Sequence, residues 1–163
     1  MADAEIWKDI YYVDSISGEI IDYRGYYQAS NFGRIRSVDR TINRTASQRN
    51  KKCVIERKGR ITKETIVRKY PHVVLHKNGS TKALQVHRII ASMFVPNPDN
   101  LPCVNHKSEV KTENYAENLE WCTHKYNCNY GERNKKIAIA KIGNTYHKKT
   151  ASRTEAEKEK FVI

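Results

Sequence analysis

Cys103-Val104-Asn105-His106, a largely polar loop over residues 107–117, Asn118-Leu119-Glu120-Trp121-Cys122 and then Thr123-His124-Lys125-Tyr126-Asn127 form the stretch whose reading decides the fold. The two short apolar runs read as strands, and Thr123 as the N-cap of a helix that runs to about Tyr130 and stops at Gly131. Strand, loop, strand and helix bring Asn105 and His106 near Asn127, which lies 21 residues after His106. A neutral imidazole can take a proton from water near pH 7. Amide oxygens suit a hard divalent cation, with phosphate supplying the missing charge. On composition alone, His, Asn and Asn are ordinary surface residues.

Working outward, Val86, Ile89, Ile90, Met93 and Phe94 recur at helical spacing before Pro96 and predict a short core helix. Ahead of it, Val73-Val74-Leu75-His76 and Thr81–Val86 flank Asn78-Gly79, the strongest short-range hairpin signal. A further hairpin is predicted around Ser30-Asn31-Phe32-Gly33, with Asn31 and Gly33 able to take positive φ and Arg34 and Arg36 sharing the face opposite Ile35. Residues 39–60 are basic with little periodicity and read as a long loop that orders against a polyanion. Residues 132–142 are expected to form a basic helix, and the chain from Gly143 to be weakly structured.

The whole chain has 163 residues and a formal charge of +12, which suits about one domain with a small appendage. The charge is unevenly placed: −4 over residues 1–30, +11 over 31–80, −1 over 81–122 and +6 over 123–163. Two basic blocks around a near-neutral segment point to nucleic acid, the bland alternative being a solvated basic face. No apolar run is long enough to cross a membrane, and the first residues carry no secretory pattern, so an intracellular, cytoplasmic protein is expected. Cys53, Cys103, Cys122 and Cys128 form no Cys-x-x-Cys pair. Reduced thiols are expected, and a structural zinc on Cys103, Cys122, His124 and Cys128 is not.

Several blocks together carry a resemblance. Val86-His87-Arg88, Phe94-Val95-Pro96-Asn97-Pro98, Val104-Asn105-His106, Lys111-Thr112-x-Asn114 and Glu117–Thr123 with Asn127 resemble the His-Asn-His (HNH) endonucleases of the phage and mobile-intron homing type. Glu5–Ile10 and Tyr26–Ser37 are similar to the small DNA-contacting module that often precedes that domain. The resemblance implies an α+β protein: a ββα-metal nuclease core preceded by a β-hairpin-rich module. It also implies hydrolysis of DNA phosphodiesters with Mg²⁺, or Mn²⁺ in its place, leaving 5′-phosphate and 3′-hydroxyl ends. His106 matches the general base, Asn105 and Asn127 the metal ligands, and Asn118 the middle Asn, whose expected role is to hold the loop between the strands.

The implied organisation is a DNA-contacting module and basic loop over residues 1–52, a nuclease domain over 53–131 and a basic extension over 132–163. Phosphate contacts are expected from Arg34, Arg36, Arg40 and Arg44, from Lys51 and Lys52, and from Arg133, Lys135 and Lys136. The expected partner is double-stranded DNA, with no membrane and no obligate protein partner. Of the other residues, His87 reads as structural, Trp121 as core and Trp7 as an anchor of the N-terminal module; His72, His76 and His147 lack ligand spacing, and His124 could reach phosphate. Two departures from the family matter. Asn105 stands where relatives often carry Asp, so no motif ligand is a carboxylate, and Lys107-Ser108-Glu109-Val110 lacks the Asp-Gly common after the catalytic His. The alternative is therefore a DNA-binding protein whose nuclease site has decayed.

Overall fold

The computed structural model describes residues 4–46, 51–131 and 139. The chain divides into two compact units, residues 1–123 and 124–163. In the first, β1 (Trp7–Asp9), β4 (Tyr27–Ser30) and β5 (Ile35–Ser37) form an antiparallel sheet in the order β1-β4-β5. Between β1 and β4, β2 (Tyr11–Val13) and β3 (Ile20–Asp22) pair as a hairpin. Its turn is drawn in by Asp14, whose Oδ1 accepts from the backbone N–H groups of Ile16 and Ser17 at 3.0 and 2.8 Å. The predicted turn after β4 forms with Gly33 at φ +85°, while Asn31 keeps an ordinary φ. Asn31 instead uses its side chain, Oδ1 accepting from Ile6 N at 2.7 Å and Nδ2 donating to Ala4 O at 3.3 Å.

Residues 39–60 do not form the long loop expected. β6 (Arg40–Ala46) and β7 (Lys51–Arg57) pair antiparallel from Arg40↔Arg57 to Ala46↔Lys51. A ladder of backbone hydrogen bonds needs no apolar alternation, and Thr41, Ile42, Val54 and Ile55 supply the β-branched character that the basic residues obscured. The base of this hairpin is fastened to β5. Asp39 Oδ1 accepts from Gly59 N at 2.7 Å, Ser37 N donates to Arg60 O at 2.9 Å, and Thr62 N donates to Ile35 O at 2.8 Å.

β8 (Thr65–Val67), β9 (Tyr70–Lys77) and β10 (Ser80–Gln85) form a second three-stranded sheet in the order β10-β9-β8. Asn78 and Gly79 take φ of +52° and +79°, as a type I′ turn requires. The β8–β9 turn makes the same geometry from Arg68 and Lys69, at +50° and +73°, two residues with no intrinsic preference for it. Helix α1 (Val86–Phe94) follows, and β11 (Cys103–His106) then pairs with β12 (Leu119–Cys122). Val86, Ile89, Ile90 and Ala91 of α1 are fully buried, and burying an Ile is worth about 1.5–3 kcal/mol. They join Ile10, Ile35, Val73, Leu75, Val104 and Leu119 in one core, so both sheets and the β11–β12 hairpin pack on the same helix. Trp121 is half-buried rather than core; its indole N–H donates to Val95 O at 3.1 Å at the end of α1. In the second unit, α2 spans His124–Asn129, and Gly131 follows at φ +64°. No helix among the described residues is long and apolar enough to cross a membrane.

A Cβ on Gly59 would lie 2.3 Å from Ser37 O, a backbone atom that cannot give way cheaply. Gly59→Ala should therefore loosen the β6–β7 base and cost about 1–3 kcal/mol, read as a drop of several degrees in Tm; an unchanged melt would show that the base is not fastened there.

Candidate active site

β11 ends on His106 and β12 begins opposite it at Leu119, so the last two residues of β11 are pinned by cross-strand partners: His106↔Leu119 and Asn105↔Glu120. Both Asn105 and His106 are buried. The imidazole Nε2 of His106 meets Asn114 Oδ1 at 3.1 Å. An amide oxygen only accepts, so Nε2 carries the proton and Nδ1 keeps the lone pair. That is the tautomer a general base on Nδ1 needs. Burial pulls the His106 imidazole below its ordinary value and the Lys111 ammonium adds to the effect, while the Asn114 bond and Glu113 oppose them. The ring is thus held neutral near pH 7.

Around it, His106, His87 and Tyr70 form a triangle of rings, with centroids 5.3 Å apart for the two histidines and 5.0 and 6.2 Å from Tyr70 to His87 and His106. The Lys111 ammonium caps the Tyr70 face at 4.3 Å. His87 is buried, and its Nδ1 has no hydrogen-bond partner among the described residues. Burial, then the neighbouring cations and histidines, push its pKa down to about 3.

The loop after β11 is closed by Asn118. Its Oδ1 accepts from Ser108 N at 2.9 Å and its Nδ2 donates to Glu113 O at 2.8 Å, while Lys107 N donates to Asn118 O at 2.8 Å. Ser108 and Glu109 stand where the resemblance leads one to expect Asp-Gly. Glu109 nonetheless takes φ +61°, its N–H donating to His106 O at 3.0 Å, so a tight turn is made at the strain of a left-handed non-glycine. From the other side the N-terminal hairpin closes in. Ala116 N donates to Asn31 O at 2.8 Å, and Gly33 approaches so near that a Cβ there would lie 2.8 Å from the carbonyl carbon of Asn114.

As for a metal, Asn105 offers an amide oxygen. Its Nδ2 donates to Glu120 Oε1 at 2.7 Å, and no donor among the described residues meets its Oδ1. A hard neutral donor beside a carboxylate fits a hard divalent cation. No group of three His, Cys, Asp or Glu among the described residues is arranged to hold an ion. Cys103 and Cys122 are opposite each other on the hairpin, and Cys128 is exposed on α2. On α2, in the second unit, Asn127 is half-buried and His124 is exposed.

The expected DNA contacts are distributed unevenly. Arg34 and Arg36 share the Trp7 face, at 5.7 and 4.0 Å from its ring; Arg34 is paired with Glu5 and Arg36 donates to Gln28 Oε1. Arg40 is half-buried over Tyr26 and Tyr27. Arg44, Lys51 and Lys52 are on β6 and β7; Arg133, Lys135 and Lys136 lie outside the described residues. A cleft of about 760 Å³ bordered by the expected Arg40 adds Arg57, Lys58, Arg60 and Lys63, cations that sequence reasoning did not single out although all belong to the +11 block. Asn114 was also missed as a site residue, and only the Lys111-Thr112-x-Asn114 match hinted at it.

A model of the NUMOD4 motif matches residues 5–76. In the solved structure titled "DNA binding and cleavage by the HNH homing endonuclease I-HmuI", the chain aligns over 85% of its own length and 68% of that protein, at 31% identity and a TM-score of 0.53. The chain belongs to the HNH homing endonucleases. Among curated relatives, an uncharacterized HNH endonuclease of Acanthamoeba polyphaga mimivirus is 37% identical over 118 residues, which is 71% of this chain and 30% of that protein. DNA endonuclease I-HmuI of Bacillus phage SP01 is 31% identical over 121 residues, 74% of this chain and 54% of that one. This HNH chain thus spans from under a third to about half the length of the curated relatives it matches.

Two measurements probe the site. With a folded pKa of about 3 for His87 against about 6.5 unfolded, the unfolded chain takes up a proton that the folded chain refuses as pH falls. Stability is full above about pH 6.5 and should decline toward pH 3 by up to a few kcal/mol. His87→Phe should flatten that decline in denaturant titrations; parallel decline in both proteins would discount His87 as its source. Gly33→Ala should displace Asn114 and release the His106 tautomer, read in imidazole ¹⁵N shifts as loss of the single Nε2–H form; unchanged shifts would uncouple the hairpin from His106.

Proposed function

We propose that the chain is a divalent-metal-dependent endonuclease that hydrolyses phosphodiester bonds of double-stranded DNA at a selected site, with a ββα-metal unit over the segment from Cys103 to Asn129. The observation that carries this reading is the buried, neutral His106 whose Nε2–H is spent on Asn114. Nδ1 then removes a proton from the attacking water, and Asn114 stabilises the imidazolium that results. As the water oxygen bonds to phosphorus, the bond to the 3′ oxygen breaks and that oxygen takes a proton from solvent water, leaving a 5′-phosphate and a 3′-hydroxyl. Asn105 would hold Mg²⁺, or Mn²⁺, through its amide oxygen; Asn127 enters as a second ligand on its match to the motif alone. The bound ion supplies Lewis-acid stabilisation of charge on the phosphate and the departing oxygen. Asn118 keeps the loop after β11 closed.

The basic β6–β7 hairpin, with Arg40 at its base, and the Trp7 face with Arg34 and Arg36 provide the grip on the duplex, through phosphate contacts that position it. One motif within these residues provides one active centre, which favours a nick in one strand by a monomer, and a cut through both strands only if the chain dimerises. The non-cleaving reading draws on one observation, the Asn105 amide at a ligand position.

Plasmid libraries incubated with the purified protein and Mg²⁺ or Mn²⁺ separate the two. The chain should nick a subset of sequences, and His106→Ala should lower the rate about 10²–10⁴-fold. Equal nicking by both proteins would overturn the role of His106. Retention of DNA with a steep salt dependence but no cut would establish the binding-only reading instead.

A further inference from the structure

The Asn105 amide does not face Glu120 by chance of rotamer alone. Asn105 and Glu120 are register partners on β11 and β12, and the bond between Asn105 Nδ2 and Glu120 Oε1, at 2.7 Å, is the cross-strand contact of that pair. Asn105 is buried, whereas Glu120 is half-buried and keeps a face to solvent. The bond uses the amide's donor end and so decides which way the amide is turned, leaving Oδ1 as the end free of donors among the described residues.

From this we infer that Glu120 is the carboxylate of the proposed metal centre: it grips the NH₂ of Asn105, turns the amide oxygen toward the cation and lends the negative charge that the amide ligands lack. The inference rests on the metal-dependent reading above and names a residue that reading does not use. An outer carboxylate hydrogen-bonded to a ligand both fixes the ligand's orientation and raises the local negative potential. Glu120 acts through Asn105 and is a positioning residue. An Asp at position 105 would set two carboxylates against each other across the hairpin, so the neutral Asn and the charged Glu make a consistent pair.

Mn²⁺ titrated into the full chain without DNA, followed by the loss of the free-ion EPR signal, tests this independently of cleavage. Asn105→Ala should abolish saturable uptake. Glu120→Gln, which keeps the shape and an accepting oxygen but not the charge, should weaken Mn²⁺ about 10-fold, and Glu120→Ala, which removes both, nearer 100-fold. Thermal melts with and without Mn²⁺ give a second readout, in which the Mn²⁺-dependent rise in Tm shrinks in the same order while the metal-free Tm stays close to that of the parent. Unchanged uptake by both Glu120 variants beside loss in Asn105→Ala overturns the role of Glu120 alone. Unchanged uptake by Asn105→Ala, or no saturable uptake by the parent chain, overturns the metal reading beneath it and the inference with it.

Discussion

The hydrogen bond from His106 Nε2 to Asn114 Oδ1 is the contact on which the rest of the site depends. It selects the tautomer, and it does so only while Asn114 is held in place. Three constraints hold it. Asn118 pulls the loop shut on both sides, Asn31 O anchors Ala116, and Gly33 leaves no room for Asn114 to retreat. Two of the three come from the turn between β4 and β5, some 80 residues earlier in the chain. The N-terminal hairpin is therefore a wall of the loop that follows β11 as well as a basic surface, and Ile35, Ile89 and Leu119 join the two in one core.

Beneath His106, the arrangement gives up stability. A buried imidazole nitrogen without a partner costs about 1–3 kcal/mol, and His87, whose Nδ1 has none among the described residues, stands against the His106 ring. Backbone strain gathers nearby: Arg68 and Lys69 turn left-handed just before Tyr70, and Glu109 does so within the loop that follows His106. Non-glycine residues at positive φ persist where surrounding contacts over-determine them. Here those contacts are the β8–β9 ladder on one side and the Asn118 bracket on the other.

What the sequence made legible follows from how each element is stabilised. The β9–β10 hairpin, α1 and β11–β12 announce themselves through Asn78-Gly79, the 3–4 spacing of Val86, Ile89 and Ile90, and the runs ending at His106 and Cys122, because in each the local pattern and the burial agree. β6–β7 was hidden, since a ladder of backbone bonds carries it and its side chains are mostly basic. β8 was hidden too, because its turn is built from Arg68 and Lys69, which carry no turn signal. Asn114 and Glu120 could not be found from spacing at all. Their partners are met only after the hairpin has set its register, and a slip of one residue would place Glu120 on the other face from Asn105.

Charge then orders the events of the proposed reaction. The 31–80 block is strongly positive, and a divalent cation gains little by approaching such a chain unless local negative charge offsets it. Glu120 is one such charge, held against Asn105; Asp14 and Asp22, by contrast, are committed to Arg88 and Arg24. A single carboxylate acting through an amide leaves the cation weakly held until DNA phosphate arrives, and the same basic surface that discourages the free ion draws that phosphate in. Duplex and metal then bind cooperatively, each lowering the cost of the other, which confines full activation of the water to the moment when a phosphodiester is in place.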